Sequence, residues 1–343
     1  MTTVKRSLMW VVVIALLASL AGPLAAPAQG PMKVTMIQTF PSMAFASIYV
    51  ARAQNFFEQE GIDLDLQIVS GDAIGAQGLV GGTAPMAALG GAEAGLLVTK
   101  GIKNFISVSA VNSAVTVSVA VRKDLAESRG LTAKLPIEKR IAALRGMRIA
   151  TGSPGGAIHT TMLYLLARGG LDAQKDVSLV SVGGGPPMLA GLKSRQLDAI
   201  AVSPPAPEQA EVDGAAVLLI SLSRGDVPEL ANLPYDLLLV HRDYAARNPD
   251  AVRRVVRAIG RGSNVMREQP ALAKASLLKY FDKVPAEVMD AVVKNLQSAF
   301  APDGRQNEAM WKNLAEFMSK AKKTAVEFET REGVLWTNEF LGK

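Results

Sequence analysis

From Met32 onward the apolar residues of this chain switch between two spacings, every second position and every third or fourth, and the switches mark out its elements. The segment 47–69 shows both spacings. Ile48, Ala51, Phe56 and Phe57 recur at roughly helical spacing with charges between them, and Gly61 stands where a helix C-cap takes a left-handed residue. Ile62, Leu64, Leu66 and Ile68 then repeat at every second position, as a half-buried strand does. This is half of a β-α-β unit. The same reading predicts strands over 33–38, 63–70, 86–89 and 105–111, with helices near 45–59, 74–81 and 92–100. A polar, charged stretch over 122–145 interrupts the alternation. A second run follows, with strands over 148–151, 177–182, 199–202 and 216–222 and helices over 157–167 and 187–195. After a strand over 235–241 the chain reads as helical nearly to its end. Asn248 serves as N-cap, Pro249 takes the first helical position, and Val252, Val255, Val256 and Ile259 line one face.

Such alternation predicts an α/β fold of mainly parallel sheets flanked by helices, followed by a helical C-terminal region. At 343 residues the chain is long enough for two domains around two cores. One internal echo supports two similar halves. Gly78-Leu79 precedes Leu89 by the same interval as Gly191-Leu192 precedes Val202, and a small-residue loop follows each time. In open α/β sheets ligands lie at such C-terminal strand edges, beside helix N-termini.

Composition narrows the chemistry. Residues 1–28 have the pattern of a cleaved secretory leader: Lys5 and Arg6, an apolar run from Leu8 to Leu20, then Ala26-Pro27-Ala28 with cleavage expected after Ala28. The apolar run is short for a membrane span, so the mature protein is expected in the periplasm. The chain has no cysteine, which excludes disulfides, thiolate catalysis, Cys-based zinc sites and a lipidated cysteine anchor. The net charge of +6 loses Lys5 and Arg6 with the leader and contains no basic run, so nucleic acid is not an expected partner. His159 and His241 are the only histidines. A Ser-His-Asp constellation or a histidine-rich metal site therefore has few candidates, and neither a cofactor nor a metal is expected.

The wording of several segments resembles one family. VARAQNFFEQEGIDLDL, ALRGMRIATGSPGG, GGLDAQKDVSLVSVGGGPPMLAGLKSRQLDAIAVSPP, RNPDAVRRVVRAI and VLWTNEFL occur in the order found in solute-binding proteins of ABC importers. They resemble the group serving nitrate, sulfonate (taurine-like) and thiamine-precursor uptake. The resemblance runs from about Met32 to Leu341 and implies a two-lobed periplasmic binding protein of type II, closing on ligand in the cleft. It implies a leader over 1–28, lobe 1 over 29–121 and 236–343, and lobe 2 over 122–235. A small-molecule ligand and the membrane permease are the implied partners, and the protein is expected to act as a monomer without turnover. A TRAP-type solute receptor and a sensor-associated binding protein share the two-lobe build; an exported enzyme of related fold is disfavoured by the poor catalytic inventory.

Candidate ligand-binding residues sit at the expected strand ends. Ser153, Gly155, Gly156 and Ala157 open a helix, where free N–H groups and the positive dipole end can meet a ligand, and His159 lies in that first turn. Phe40, Pro41, Ser42 and Met43 end the first strand, Ser42 as cap or ligand contact and Phe40 and Met43 as an apolar wall. Gly91 and Glu93 follow the third strand, with Glu93 the only acid placed near the cleft; Asn112 and Ser113 follow the fourth. Gly184, Ser203 and Pro204 are second-lobe counterparts, and Tyr235 can reach in from the hinge. Relatives often carry an acid before the proline at position 204; Ser203 there weakens a thiamine-precursor reading. None of these loops contains Lys or Arg. The expected ligand is thus a partly apolar organic molecule, neutral or with one acidic group.

Overall fold

The computed structural model describes residues 30–342, so the leader expected over 1–28 lies outside the described residues. The alternating stretch after Gly61 forms β2 (Ile62–Val69), which runs parallel to β1 (Met32–Thr39) with Met32 beside Ile62 and Thr39 beside Val69. The helix expected between them is two. α1 (Ala46–Ala53) and α2 (Phe56–Gln59) are separated by Asn55, which takes the left-handed conformation (φ 55°) that asparagine tolerates better than most residues. After β2 come α3 (Asp72–Val80), β3 (Met86–Gly90), α4 (Gly91–Thr99) and β4 (Phe105–Ala114).

The second run begins earlier than the hydrophobic pattern suggests. Ser118–Arg122 forms β5, which pairs antiparallel with two later strands, so the lobe boundary expected at 121/122 moves to the segment between Ala114 and Ser118. The strand is a continuous apolar run (SVAVR) with no glycine or proline before it to punctuate it. The charged stretch beyond it is helical in two pieces, α5 (Lys123–Ser128) and α6 (Ile137–Ala142). Then follow β6 (Arg148–Thr151), α7 (Ala157–Arg168), β7 (Ser178–Ser181), α8 (Gly185–Lys193), β8 (Ala199–Val202), α9 (Ala206–Val212), β9 (Ala216–Ser221) and β10 (Ala231–His241). The C-terminal region holds α10 (Arg242–Arg247), α11 (Pro249–Glu268), α12 (Pro270–Leu277), α13 (Ala286–Leu296) and α14 (Glu308–Lys322). The final segment is not helical; Trp336 bridges to Ser107 on the exposed edge of β4.

The strands form two five-stranded sheets of the same order, β2-β1-β3-β10-β4 and β7-β6-β8-β5-β9. In each, the fourth member runs antiparallel to its neighbours: β10, which returns from beyond the second sheet, and β5, which opens the second sheet's run. The chain therefore crosses between lobes twice, before β5 and before β10. The internal echo falls on equivalent places, α3–β3 in the first sheet and α8–β8 in the second. In both helices the glycine lies close under an aliphatic side chain: a Cβ on Gly78 would meet the Ile37 Cδ1 methyl at 2.3 Å, and one on Gly191 the Leu197 Cδ1 methyl at 2.7 Å.

Packing ties the C-terminal helices to both lobes. Val252, Val255, Val256 and Ile259 of α11 are buried against Val34, Met36 and Leu238 of the first sheet. Each such side chain contributes about 1.5–3 kcal/mol by leaving water. α11 also approaches α1 closely, since a Cβ on Gly262 would lie 2.0 Å from the Ser47 carbonyl oxygen. α14 instead leans on the second lobe, its Phe317 ring 5.3 Å from that of Tyr164 on α7. Among the described residues no helix is long and apolar enough to cross a membrane.

Candidate functional site

The C-terminal ends of β1, β6, β7 and β8 converge on a cavity of about 700 Å³ between the lobes. The first lobe contributes Thr39 to Ser42, Ala44, Phe45, Asp72, Tyr235 and Asp236, with Tyr280, Phe281 and Val284 from the C-terminal helical region. The second contributes Gly152, Ala157, Gly183 to Met188 and Val202 to Ala206. The walls are thus aromatic, aliphatic and proline-rich, and the volume suits a small organic molecule.

Phe40 holds a left-handed backbone conformation (φ 58°), costly for a bulky residue. The turn is fixed on three sides: Phe40 N donates to Val69 O at 2.8 Å, and Phe40 O accepts from Gln38 Nε2 at 2.9 Å and Ser42 N at 3.0 Å. Strain of this kind clusters at ligand clamps. Across the cavity, Tyr49 stacks its edge on Phe281 (5.0 Å, 76°) and tilts against Tyr280 (5.3 Å), bracing both rings from behind.

Two of the carboxylates lining the cavity, Asp72 and Asp236, are buried, and neither is among the residues expected at the site. Asp236, in β10, exchanges hydrogen bonds with Asn112: Asn112 Nδ2 donates to Asp236 Oδ2 at 2.8 Å, and Asp236 N donates to Asn112 Oδ1 at 2.9 Å. Burial pushes the Asp236 carboxyl up to about 7; the Asn112 bond opposes this and the nearby Asp72 charge adds to it. Asp72 begins α3 and is buried; Thr39 Oγ1 donates to its Oδ1 at 2.8 Å and Ala157 N to its Oδ2 at 3.2 Å. The Tyr235 hydroxyl is buried and makes no hydrogen bond of good geometry among the described residues; the Thr161 hydroxyl beside it donates to Ala157 O at 2.8 Å. At the rim Lys193 pairs with Asp213, while Asp282 and Lys283 flank the aromatic pair.

Of the residues expected at the site, Phe40, Pro41, Ser42, Ala157, Gly184, Ser203, Pro204 and Tyr235 line the cavity. Ser42 also caps the short turn after it, accepting from Ala44 N at 3.2 Å. Met43 does not form a wall; it is fully buried in the first-lobe core, and its N–H reaches across the lobes to Pro204 O at 3.2 Å. Gly91 packs on β10, where a Cβ would sit 2.1 Å from Pro234 O, so its smallness serves the fold. Glu93 is buried away from the cavity lining, and burial raises its carboxyl above the usual range, with Asp72 adding to the effect. The expectation that it is the only acid near the cleft is therefore corrected: Asp72 and Asp236 take that place. Asn112 stands behind the lining, holding Asp236. Ser113 faces a separate hollow and donates to Ala299 O at 3.4 Å. Ser153 is exposed and accepts from Gly156 N through its carbonyl, while Gly155 and Gly156 shape the turn behind Ala157. His159 is half-buried outside the lining; burial lowers its pKa, and its Nδ1 accepts from Gly155 N at 3.5 Å.

The missed residues carried unequal signals. Asp72 follows β2 in the strand-end position that selected the other candidates, and an acid within the apolar run of β10 marked Asp236. Tyr280 and Phe281 had no such mark, because only the tertiary fold brings the turn between α12 and α13 over the cleft.

Two lobes of equivalent topology, crossed twice by the chain and enclosing a cavity at their strand ends, define the two-lobed α/β fold of periplasmic binding proteins. The sequence model of the NMT1-like family matches residues 28–278, and the chain belongs to that family. Solved structures of similar fold include a protein of Bordetella bronchiseptica RB50 (TM-score 0.75, 23% identical, covering 90% of this chain and 95% of that one). The alkanesulfonate-binding protein SsuA of Xanthomonas axonopodis, bound to MOPS, gives a TM-score of 0.67 at 18% identity, with 90% and 97% covered. The periplasmic nitrate-binding protein NrtA of Synechocystis PCC 6803 gives 0.66 at 15%, with 85% and 81% covered. The fold also carries chemistry elsewhere: the desulfurization enzyme DSZB gives 0.56 at 16%, with 86% and 94% covered.

Proposed function

We propose that this protein is the periplasmic substrate-binding component of an ABC importer, holding a compact, partly apolar organic solute between its lobes and delivering it to the membrane permease. The observation that carries the reading is the cavity of about 700 Å³, lined from both lobes and walled by Phe40, Phe45, Tyr280 and Phe281. A ligand touching both walls favours the closed arrangement only by what it gains there and not in the open one. The lobes in this reading are residues 30–114 with 231–342, and 118–221, and the protein acts as a monomer. An acidic group on the ligand is disfavoured by Asp72 and Asp236, so the solute is neutral or presents N–H or O–H donors, for which Asp236 and the Tyr235 hydroxyl are the waiting partners.

A catalytic reading draws on one observation, the carboxyl of Asp236 near 7, which suits proton transfer. The same experiment separates the two. Protein purified from its native periplasm is denatured and the released small molecule identified by mass spectrometry. A single organic solute that rebinds unchanged supports the binding reading. Its conversion on incubation supports the enzyme, and the absence of any retained or rebinding organic molecule defeats both.

A further inference from the structure

Backbone N–H groups from two helix starts, one in each lobe, meet at one place, and a side chain of the protein itself occupies it. Asp72 is the first residue of α3; Gly90 caps α4 and donates its N–H to Asp72 Oδ1 at 3.4 Å; Ala157 opens α7 and donates to Asp72 Oδ2 at 3.2 Å. Thr39 Oγ1 completes the set at 2.8 Å. All three donors are neutral, so the carboxylate is held by two backbone N–H groups at helix starts and one hydroxyl, the kind of donor set proteins otherwise use for bound anions. The fit is close on both sides: a Cβ on Gly156 would lie 3.0 Å from Asp72 Oδ2, and one on Gly90 3.4 Å from it. The carboxylate is also 8% exposed and bridges the lobes, since Thr39 and Gly90 belong to the first sheet while Ala157 follows β6 of the second.

We infer that Asp72 is a built-in anion: it occupies the donors of Thr39, Gly90 and Ala157 that would otherwise hold an anionic group of a ligand, so it sets the cleft against anionic solutes and ties the lobes together. The inference rests on the binding reading above only for its consequence for ligand choice; the occupied anion position stands on geometry alone. Its physical content is simple. A second anion near Ala157 would meet a charge of the same sign in a poorly hydrated place and would find its best donors already used.

The test compares the unaltered protein with Asp72→Gly and Asp72→Asn, using formate and methanesulfonate as probes. Asp72→Gly leaves the donors free and opens room for a small carboxylate. Formate is expected to raise its melting temperature saturably, by about 2 °C or more, while shifting the unaltered protein by less than about 1 °C. Methanesulfonate is expected to leave the unaltered protein unmoved. Equal responses in the two proteins, or a folded Asp72→Gly that ignores formate, overturn the inference. Asp72→Asn keeps the volume and removes the charge, so it decides the matter if Asp72→Gly does not fold. Its ligand-free form is expected to show a larger radius of gyration by X-ray scattering, as the lobes part; an unchanged radius together with an unchanged melting temperature overturns the inference. The two readings fail separately. An anionic solute found natively on Ala157 N refutes the built-in anion and leaves transport intact. Formate rescue of Asp72→Gly in a protein that holds no organic ligand does the reverse.

Discussion

Asp236→Asn tests the electrostatics of the cleft most directly. The Asp236 carboxyl moves from an ordinary 3.8 to about 7 because it is buried, with Asp72 near it. At about 1.4 kcal/mol per pH unit, the ionised form is disfavoured in the folded protein by about 4 kcal/mol. The folded state therefore holds this proton more tightly than the unfolded chain does. Between pH 3.8 and about 7 it binds more protons, so Asp236's contribution falls as pH rises through that window and is level above it. Asparagine has nearly the same shape, can still accept from Asn112 Nδ2 through its side-chain oxygen, and has no charge to desolvate. The variant should match the unaltered protein near pH 4 and exceed it by up to about 4 kcal/mol at pH 8. Glu93 and Glu208, both pushed up by burial, tilt the pH profile of each protein in the same direction and cancel in the difference. Urea unfolding followed by the fluorescence of Trp311 and Trp336, which are buried, measures both proteins across the range. A stability difference that is the same at pH 4 and pH 8 refutes the reasoning.

Three further outcomes follow from the same geometry. Phe40→Gly exchanges about 1–2 kcal/mol of left-handed strain for about 1 kcal/mol of added chain entropy, so stability by thermal unfolding should change little. The lost ring should weaken ligand binding about tenfold by titration calorimetry, and unchanged affinity would remove Phe40 from the cavity wall. Gly262→Ala forces a methyl against the Ser47 carbonyl and should cost about 1–3 kcal/mol in urea unfolding; full stability would mean that α1 and α11 separate cheaply. Tyr235→Phe removes an unpartnered buried hydroxyl, so stability should hold or rise by about 1 kcal/mol while affinity for the native solute falls, and a variant with undiminished affinity shows that the hydroxyl does not meet the ligand.

Much of the architecture is local and was therefore legible. The period-two run after Gly61 and the valine stripe of α11 each encode which face will be buried, and burial of that face is what stabilises the element. The small-residue echo predicted equivalent α3–β3 and α8–β8 units because each glycine sits close under an aliphatic side chain, Ile37 and Leu197. Strand-end loops such as Thr39–Ser42 and Val202–Pro204 could be named as cleft residues for a similar reason, since a parallel sheet delivers all its C-terminal ends to one edge. β5 was not legible as a second-lobe strand. Its apolar run satisfies either sheet, and only hydrogen bonding to β8 and β9 assigns it.

The amino-acid sequence by itself determined an α/β chain of two similar runs, with strand-end loops poor in Lys and Arg. The tertiary structure decided what those loops surround. Asp72, Asp236 and the Tyr280–Phe281 pair come from three separate segments, and neither spacing nor composition brings them to one cavity. The helix N-terminus at Ala157 looked in the sequence like a ligand-binding turn with free N–H groups; folding lays Asp72 across it. The reason is range: periodicity and capping depend on neighbours a few residues away, whereas a site's charge depends on which distant carboxylate the closing lobes place there.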